Sequence, residues 1–287
     1  LITTEKKYLD STSLEPKMVC KDHLVTGEKF DIVQHENGIL KTHPFPEHLS
    51  RYYESNEYIS HTDSAGNLQD KIYQLVKSYM LSKKAKWIRK NIKHGSILDF
   101  GAGTGEFLNK MKSYFWNVEG VEPNKLARDL GILKGLNLKS DLSQLPKKKF
   151  DVISLWHVLE HLPDLEDKIR EFENLLDENG ILIVAVPNHN SYDANFYGEY
   201  WAAWDVPRHL WHFSREGIES KFQESGFELF QEKALKFDSF YVSLLSEKNK
   251  NGSTNPFKAF YRGYISNLKA QSTGEYSSIA YFFRKSG

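Results

Sequence analysis

The sequence predicts an α/β fold built on a mainly parallel sheet with helices on both faces. Three observations predict it. From Ser96 onward, short apolar strands alternate with amphipathic helices. A glycine turn, Gly101-Ala102-Gly103-Thr104-Gly105, joins the first of these strands to a helix. The 287 residues are 40% hydrophobic and 26% charged, a balance that supports one large packed core. Strand–helix alternation needs crossovers that cover both faces of a sheet, so its strands read as continuous apolar runs.

The elements follow in order. Residues 1–67 form a small polar N-terminal appendage. It has strand candidates at 29–33 and 38–42, a turn at Pro44 and Pro46, and an aromatic segment from Tyr52 to Tyr58. Residues 68–93 predict a helix with Leu68, Ile72, Leu75, Val76 and Tyr79 on one face. Residues 97–100 and 118–122 predict the first two strands, and a weaker third precedes Asp141. Residues 150–156 give the fourth. Asp164 then caps a helix carrying Leu165, Ile169, Phe172 and Leu176 on one face. Asn179-Gly180 turns the chain into a fifth strand at 181–186. Ser214 caps a helix that ends at Gly226, and strands follow at 227–235 and 278–283. Two segments break the rhythm. Residues 188–213 hold eight aromatics in 26 positions, and 246–256 read as a mobile surface loop.

Composition narrows the function classes. Lys plus Arg and Asp plus Glu balance at 38 each, so nucleic acid is a disfavoured partner. Cys20 is the single cysteine, which excludes a disulfide framework and points to a reducing, cytoplasmic setting. No apolar run approaches the ~20 residues of a membrane span, and the first residues lack the apolar run of a signal peptide.

The glycine turn is the central motif. A dinucleotide fingerprint needs a third glycine where Glu106 stands, and no Gly-Lys-Ser/Thr follows as in a phosphate-binding loop. The neighbouring acids suit another ligand. Asp99 precedes the turn, Glu122 ends the second strand where an acid accepts from ribose hydroxyls, and Asp141-Leu142 follows the third. Acids around a glycine turn fit a nucleoside carrying a cationic group and no phosphates.

This ordered set resembles the class I S-adenosylmethionine-dependent methyltransferases. It comprises Asp99-x-Gly101-x-Gly103-x-Gly105, Gly120-Val121-Glu122-Pro123, Asp141-Leu142, Phe150-Asp151-Val152-Ile153, Val158-Leu159-Glu160-His161-Leu162 and Asn179-Gly180-Ile181-Leu182-Ile183. The likeness spans about residues 96–235 and is greatest to the small-molecule branch that includes ubiquinone-biosynthesis O-methyltransferases. It implies a Rossmann-like, seven-stranded, mostly parallel sheet with an antiparallel last strand. It further implies S-adenosylmethionine as cofactor and S-adenosylhomocysteine as product. In that frame the backbone of Gly101, Ala102, Gly103 and Gly105 passes the methionyl part and Asp99 orients its amino group. Glu122, with Pro123 beside it, holds the ribose, Asp141 and Leu142 flank the adenine, and Trp156 and His157 lie near the sulfonium, with His157 also a catalytic candidate.

His157-Val158-Leu159-Glu160-His161 also spells the H-x-x-E-H of a class of zinc hydrolases. On a helix the two histidines would share a face, but the string leaves a strand directly and Pro163 follows. The zinc reading also leaves the glycine turn unexplained, so no metal is expected there. A non-catalytic cofactor-binding protein is the other alternative.

The insert 188–213 leaves the fifth strand on the cofactor side, within a methyltransferase domain of residues 68–287. Pro207-Arg208-His209-Leu210, followed by Phe213-Ser214, resembles a segment of a bacterial group of these enzymes. The insert is expected to wall the substrate, with Trp201 lining it, Arg208 holding an acidic group, His209 as general base and Asp205 orienting His209. A bracing pair of Arg208 and Asp205 and a structural His209 are the competing readings, and for His212 the structural one leads. The segment around Cys20 resembles the frame of an N-terminal zinc module of bacterial relatives. Cys20 and His23 remain, but Gln34 and Asn37 stand where cysteines are expected, so no structural zinc is predicted. The appendage then persists by packing alone, or serves as a lid through Tyr53, Tyr58 and His61 or as a contact in a homodimer; for those three residues plain packing leads.

Overall fold

The computed structural model describes residues 15–36, 38–53 and 68–286. Its main sheet has seven strands in the order β10-β11-β8-β7-β4-β5-β6. These are β4 (Ser96–Phe100), β5 (Asn117–Val121), β6 (Leu138–Lys139), β7 (Phe150–Trp156), β8 (Leu176–Pro187), β10 (Phe227–Ala234) and β11 (Ser278–Lys285). Pairings from β6 to β8 are parallel, and β11 runs antiparallel to both its neighbours. The seven strands and the reversed last strand are those implied by the sequence. The chain winds outward from β4 to β5 and β6, then returns to β7 on the other side. Ligands collect at the carboxyl ends of the strands beside such a reversal.

Successive residues of the central strands point to opposite faces, and both faces are covered. On one face Leu98, Ile153, Leu155, Leu182 and Val184 pack with helices α4 (Leu165–Leu175) and α6 (Arg215–Glu224). On the other, Ile97, Val152, Ile183 and Ala185 meet α1 (Leu68–Asn91) and α2 (Glu106–Lys112). Helix α3 (Lys125–Leu133) links β5 to β6. Full burial on both faces is why these strands are unbroken apolar runs.

A second sheet has the order β1-β2-β3-β9. Strands β1 (Met18–Lys21), β2 (Lys29–Glu36) and β3 (Ile39–His43) form an antiparallel meander. Its fourth strand, β9 (Trp211–Phe213), comes from the insert and pairs with β3 from Ile39↔Phe213 to Lys41↔Trp211. The appendage and the insert therefore share one core. Cys20, Phe30, Ile32, Leu40 and Tyr52 pack against Ala194, Tyr197, Trp201, Trp204 and Val206, with α5 (Tyr192–Tyr197) supplying the first two of that second group.

Two sequence-derived expectations are corrected. The apolar face assigned to α1 is not its buried face: Leu75 is 70% and Tyr79 54% exposed, while Ala85, Trp87 and Ile88 reach the core. Periodicity identifies a face but not which turns of a helix find a partner. The side chains of Leu68 and Ile72 lie outside the described ones. The loop expected at 246–256 is mostly helix, since α7 (Asp238–Asn251) runs through it and α8 (Pro256–Thr273) begins after four residues. Its first two polar side chains are buried with partners. Ser246 accepts from the Ala202 amide at 2.8 Å, and Glu247 accepts from the Tyr197 hydroxyl at 3.1 Å. Among the described residues, no helix is long and apolar enough to cross a membrane.

Candidate functional site

The glycine turn crosses from β4 to α2 with positive φ at Gly101 (78°), Gly103 (55°) and Gly105 (75°). The positions differ in what surrounds them. A Cβ on Gly101 would sit 2.4 Å from Val158 Cγ2, whereas one on Gly103 would meet nothing within 4 Å. Gly101 is closed by packing, and Gly103 faces open space. Gly101→Ala is therefore expected to lower the melting temperature clearly. Gly103→Ala is expected to cost only the left-handed strain, about 1–2 kcal/mol, while weakening a ligand in the turn about tenfold or more. Thermal unfolding and calorimetric titration of the two variants separate these effects. Equal behaviour in both assays would contradict the distinction.

Glu122 stands beside Gly103 and is 9% exposed. Its Oε2 accepts from the Gly103 amide at 2.8 Å and its Oε1 from the Asn124 amide at 2.7 Å. Pro123 follows on the surface, and the carbonyls of both residues accept from Arg128. Asp141 caps the turn at Leu142–Gln144, accepting from the Ser143 amide at 2.8 Å, and is exposed.

Asp99 lies under the turn, opposite Ser154 on β7, whose hydroxyl donates to it at 2.6 Å. Burial pushes the Asp99 carboxyl up to about 7, against the pull of Ser154 and of Lys84. The Lys84 ammonium lies 4.1 Å from the centre of the Trp156 ring. Burial lowers its pKa, opposed by Asp238 and Asp99. Trp156 Nε1 is buried without a hydrogen-bond partner. An open glycine cradle and two buried carboxylates suit the aminoacyl nucleoside implied by the sequence.

His157 leaves β7 with φ 58°, a conformation non-glycine residues seldom adopt. Its Nε2 is 2.9 Å from Asp238 and its Nδ1 3.5 Å from Glu160. Burial depresses its basicity, but the two carboxylates outweigh burial and lift its pKa to about 9. His157 is thus held as an imidazolium near neutral pH by its two carboxylates. The H-x-x-E-H string also forms no helix. His161 ends a single 3-10 turn, Leu159–His161, and His157 is spent on Asp238, so the zinc-hydrolase pairing of the two histidines is not built.

The insert brings a different histidine to Glu160. His209 Nε2 lies 4.0 Å from Glu160 Oε1 and 4.0 Å from Asp205 Oδ2, while its Nδ1 is 2.8 Å from the Ala203 carbonyl. The His161 and His209 rings meet edge to face at 4.6 Å. Burial, reinforced by His209, lowers His161 to about 4, so it is neutral. Tyr53 reaches this group, its hydroxyl 3.1 Å from His161 Nδ1; Tyr58, His61 and Asn37 lie outside the described residues. Because Val158 packs on Gly101, the segment 157–161 lies against the glycine turn.

Two substrate-wall assignments are corrected. Arg208 is 1% exposed, with Nε and Nη2 on Asp205, Nη2 also on Asp22 at 2.9 Å, and Nη1 on the Tyr52 carbonyl at 3.0 Å. It braces the insert rather than offering itself to an acceptor. Trp201 is 2% exposed and donates to Asp193 at 2.9 Å, filling the core shared with the appendage. His212 is buried with its Nε2 3.0 Å from the Thr42 hydroxyl, a structural position.

Lys84, Asp238 and Asp22 escape sequence reasoning. The first two come from helices far from the motifs and carry no local signature. Asp22 accepts from the amides of Leu24, Val25 and Thr26 and from the Thr26 hydroxyl, ordering the turn between β1 and β2. An aspartate shortly before Thr26-Gly27 is its only signal.

Comparison with known proteins adds three findings. Residues 73–232 match a family described as a methyltransferase domain. The ubiquinone biosynthesis O-methyltransferase of Pelagibacter ubique is 31% identical over 122 residues, 40% of this chain and 49% of that protein. The match thus spans about half the length of that relative. Magnesium protoporphyrin IX methyltransferase from Synechocystis PCC 6803, solved with bound S-adenosylhomocysteine, superposes with a TM-score of 0.53. It is 14% identical, covering 82% of this chain and 97% of that one, a likeness of fold. The same protein solved with S-adenosylmethionine gives 0.51, at 15% identity over 82% of this chain and 94% of that one.

Proposed function

Because this chain belongs to the class I S-adenosylmethionine-dependent methyltransferases, we propose that it transfers a methyl group from that cofactor to an oxygen of a small-molecule acceptor. The observation that carries the reading is the open cradle at Gly103, flanked by the buried carboxylates of Asp99 and Glu122. The backbone of Gly101, Ala102, Gly103 and Gly105 passes the methionyl chain, and Asp99 pairs with its ammonium. Glu122, next to Pro123, takes the ribose hydroxyls, and Asp141 and Leu142 flank the adenine. The Trp156 ring face attracts positive charge at the reacting end.

When bound, S-adenosylmethionine supplies a methyl group already activated on a sulfonium, so alignment of the acceptor contributes much of the rate. The residues at the carboxyl end of β7 provide that alignment. His157, fixed as a cation between Asp238 and Glu160, holds the segment in place. His209, with its Nε2 toward Glu160 and Asp205, is the side chain that activates the acceptor oxygen. Incubation with S-adenosylmethionine and a panel of hydroxylated small molecules tests the reading. Acceptor-dependent S-adenosylhomocysteine is the expected product, reduced about 10²-fold or more in His209→Ala. Methylation of nitrogen or carbon alone across the panel would overturn the choice of oxygen.

Asp99 sets a pH dependence. Its folded-state pKa, about 7, lies above the ordinary value of 3.8. Its contribution to folding is therefore complete below the ordinary value and is lost as pH rises through 7. An ammonium partner needs the ionised form, so binding below pH 7 must release a proton. Cofactor affinity is expected to fall about tenfold for each unit below pH 7, and Asp99→Asn should flatten the profile. Titrations at pH 5.5, 6.5 and 7.5 check this; a flat wild-type profile would contradict it.

A further inference from the structure

Glu160, His161 and His209 present one ligand atom each, all within 4.8 Å of one another. Glu160 is 0% exposed, and neither carboxylate oxygen has a hydrogen-bond partner. Its nearest basic neighbour, His157 Nδ1 at 3.5 Å, is too distant for a good hydrogen bond. A fully buried carboxylate with neither oxygen hydrogen-bonded is unusual, and the His157 imidazolium 3.5 Å from one oxygen leaves lone pairs that a second cation would take.

The histidines say which kind. His161 Nδ1 is 2.9 Å from the Arg208 carbonyl, and His209 Nδ1 is 2.8 Å from the Ala203 carbonyl. A carbonyl oxygen only accepts, so each Nδ1 carries the proton. With Nδ1 so engaged, Nε2 is the ring atom left to act as a ligand, and in His209 it lies 4.0 Å from Glu160 Oε1. Two imidazole rings and a carboxylate are thereby gathered in one place. Backbone carbonyls that fix the far nitrogen of a ligating histidine are the usual support of a metal site.

We propose that Glu160 and the Nε2 atoms of His161 and His209 bind a divalent first-row transition cation. Two imidazoles and one carboxylate suit such ions better than magnesium or calcium. For bonds of about 2.1 Å, tetrahedral ligand atoms lie about 3.4 Å apart, so the three groups close by about 1 Å around the ion. Asp205, 4.0 Å from His209 Nε2, stands ready as a fourth ligand or as a support for the third. The motif residues differ from the zinc-hydrolase set, because His157 is excluded and His209 arrives from the insert.

The ion would leave a position for an oxygen ligand, and a coordinated hydroxyl would release its proton to solvent more readily. That use deepens the methyl-transfer reading and rests on it, whereas binding of the ion does not. His209 then activates the acceptor through the metal.

Cobalt(II) is the probe. Chelator-stripped protein titrated with it should develop visible d–d absorption saturating at one ion per chain. Glu160→Gln and His209→Asn should each weaken binding at least tenfold, and His94→Ala, at an exposed histidine, should not. Circular dichroism establishes that each variant is folded. Absence of the d–d bands in folded wild-type protein would overturn the proposal, leaving a proton shared between His209 and Glu160 in place of the ion. Variants that bind cobalt as wild type does would also overturn it. Titration of the stripped protein with S-adenosylmethionine keeps the two readings apart. Cofactor binding without cobalt binding removes the metal site alone.

Discussion

Replacing Arg208 with alanine is expected to destabilise the fold by about 3–5 kcal/mol, against a total stability on the order of 5–15 kcal/mol. The guanidinium joins three segments: Asp22 in the β1–β2 turn, the Tyr52 carbonyl and Asp205 in the insert. Its loss strands the Asp22 carboxylate, which is 1% exposed, and releases Asp205 from its main partner. Burial raises both carboxyls, but hydrogen bonds and the arginine hold them below the ordinary range. A depressed folded-state value contributes stability above the ordinary carboxyl pKa and loses it as pH falls through the folded one. Wild-type protein should therefore weaken below about pH 4, and Arg208→Ala should lack that share of stability at neutral pH. Arg208→Lys, keeping charge without the forked donors, should fall between. Thermal unfolding checks the series. A shift under about 2 °C for the alanine variant would contradict the bracing role.

Glu122→Ala is expected to weaken S-adenosylmethionine binding about 100-fold. Hydrogen bonds to a carboxylate are worth about 1.5–3 kcal/mol each, and about 2.7 kcal/mol corresponds to that factor. The same substitution frees the Gly103 amide, whose position Glu122 fixes. Glu122→Gln retains an acceptor and should lose less. Calorimetric titration with far-ultraviolet circular dichroism on the same samples separates lost affinity from lost folding. An unchanged affinity in a folded Glu122→Ala variant would remove Glu122 from the cofactor site.

The cofactor end was legible because its features are local. Positive φ at Gly101, Gly103 and Gly105, an acid ending β5 and a capping Asp141 each leave a mark within a few residues. The cluster of His157, Glu160, His209 and Asp238 was not, because its groups are assembled by long-range pairing. His209 meets Glu160 only after β9 joins β3, and Asp238 meets His157 only after α7 folds back. The aromatics of the insert marked burial correctly but not what covers them. Trp201 and Trp204 pack against Phe30, Leu40 and Tyr52 of the appendage, so a density that suggested a substrate wall is a shared core. Polarity likewise misled at 246–256, where Ser246 and Glu247 are buried with partners. Composition alone does not distinguish a solvated polar residue from a satisfied buried one.

The most direct test is calorimetric titration of the wild-type protein with S-adenosylmethionine and, separately, with NAD. The site predicts one S-adenosylmethionine per chain and no heat from NAD, since Glu106 stands where a dinucleotide-binding turn needs its third glycine. Folded protein that binds NAD, or that binds neither ligand, would contradict the assignment of this cradle to S-adenosylmethionine.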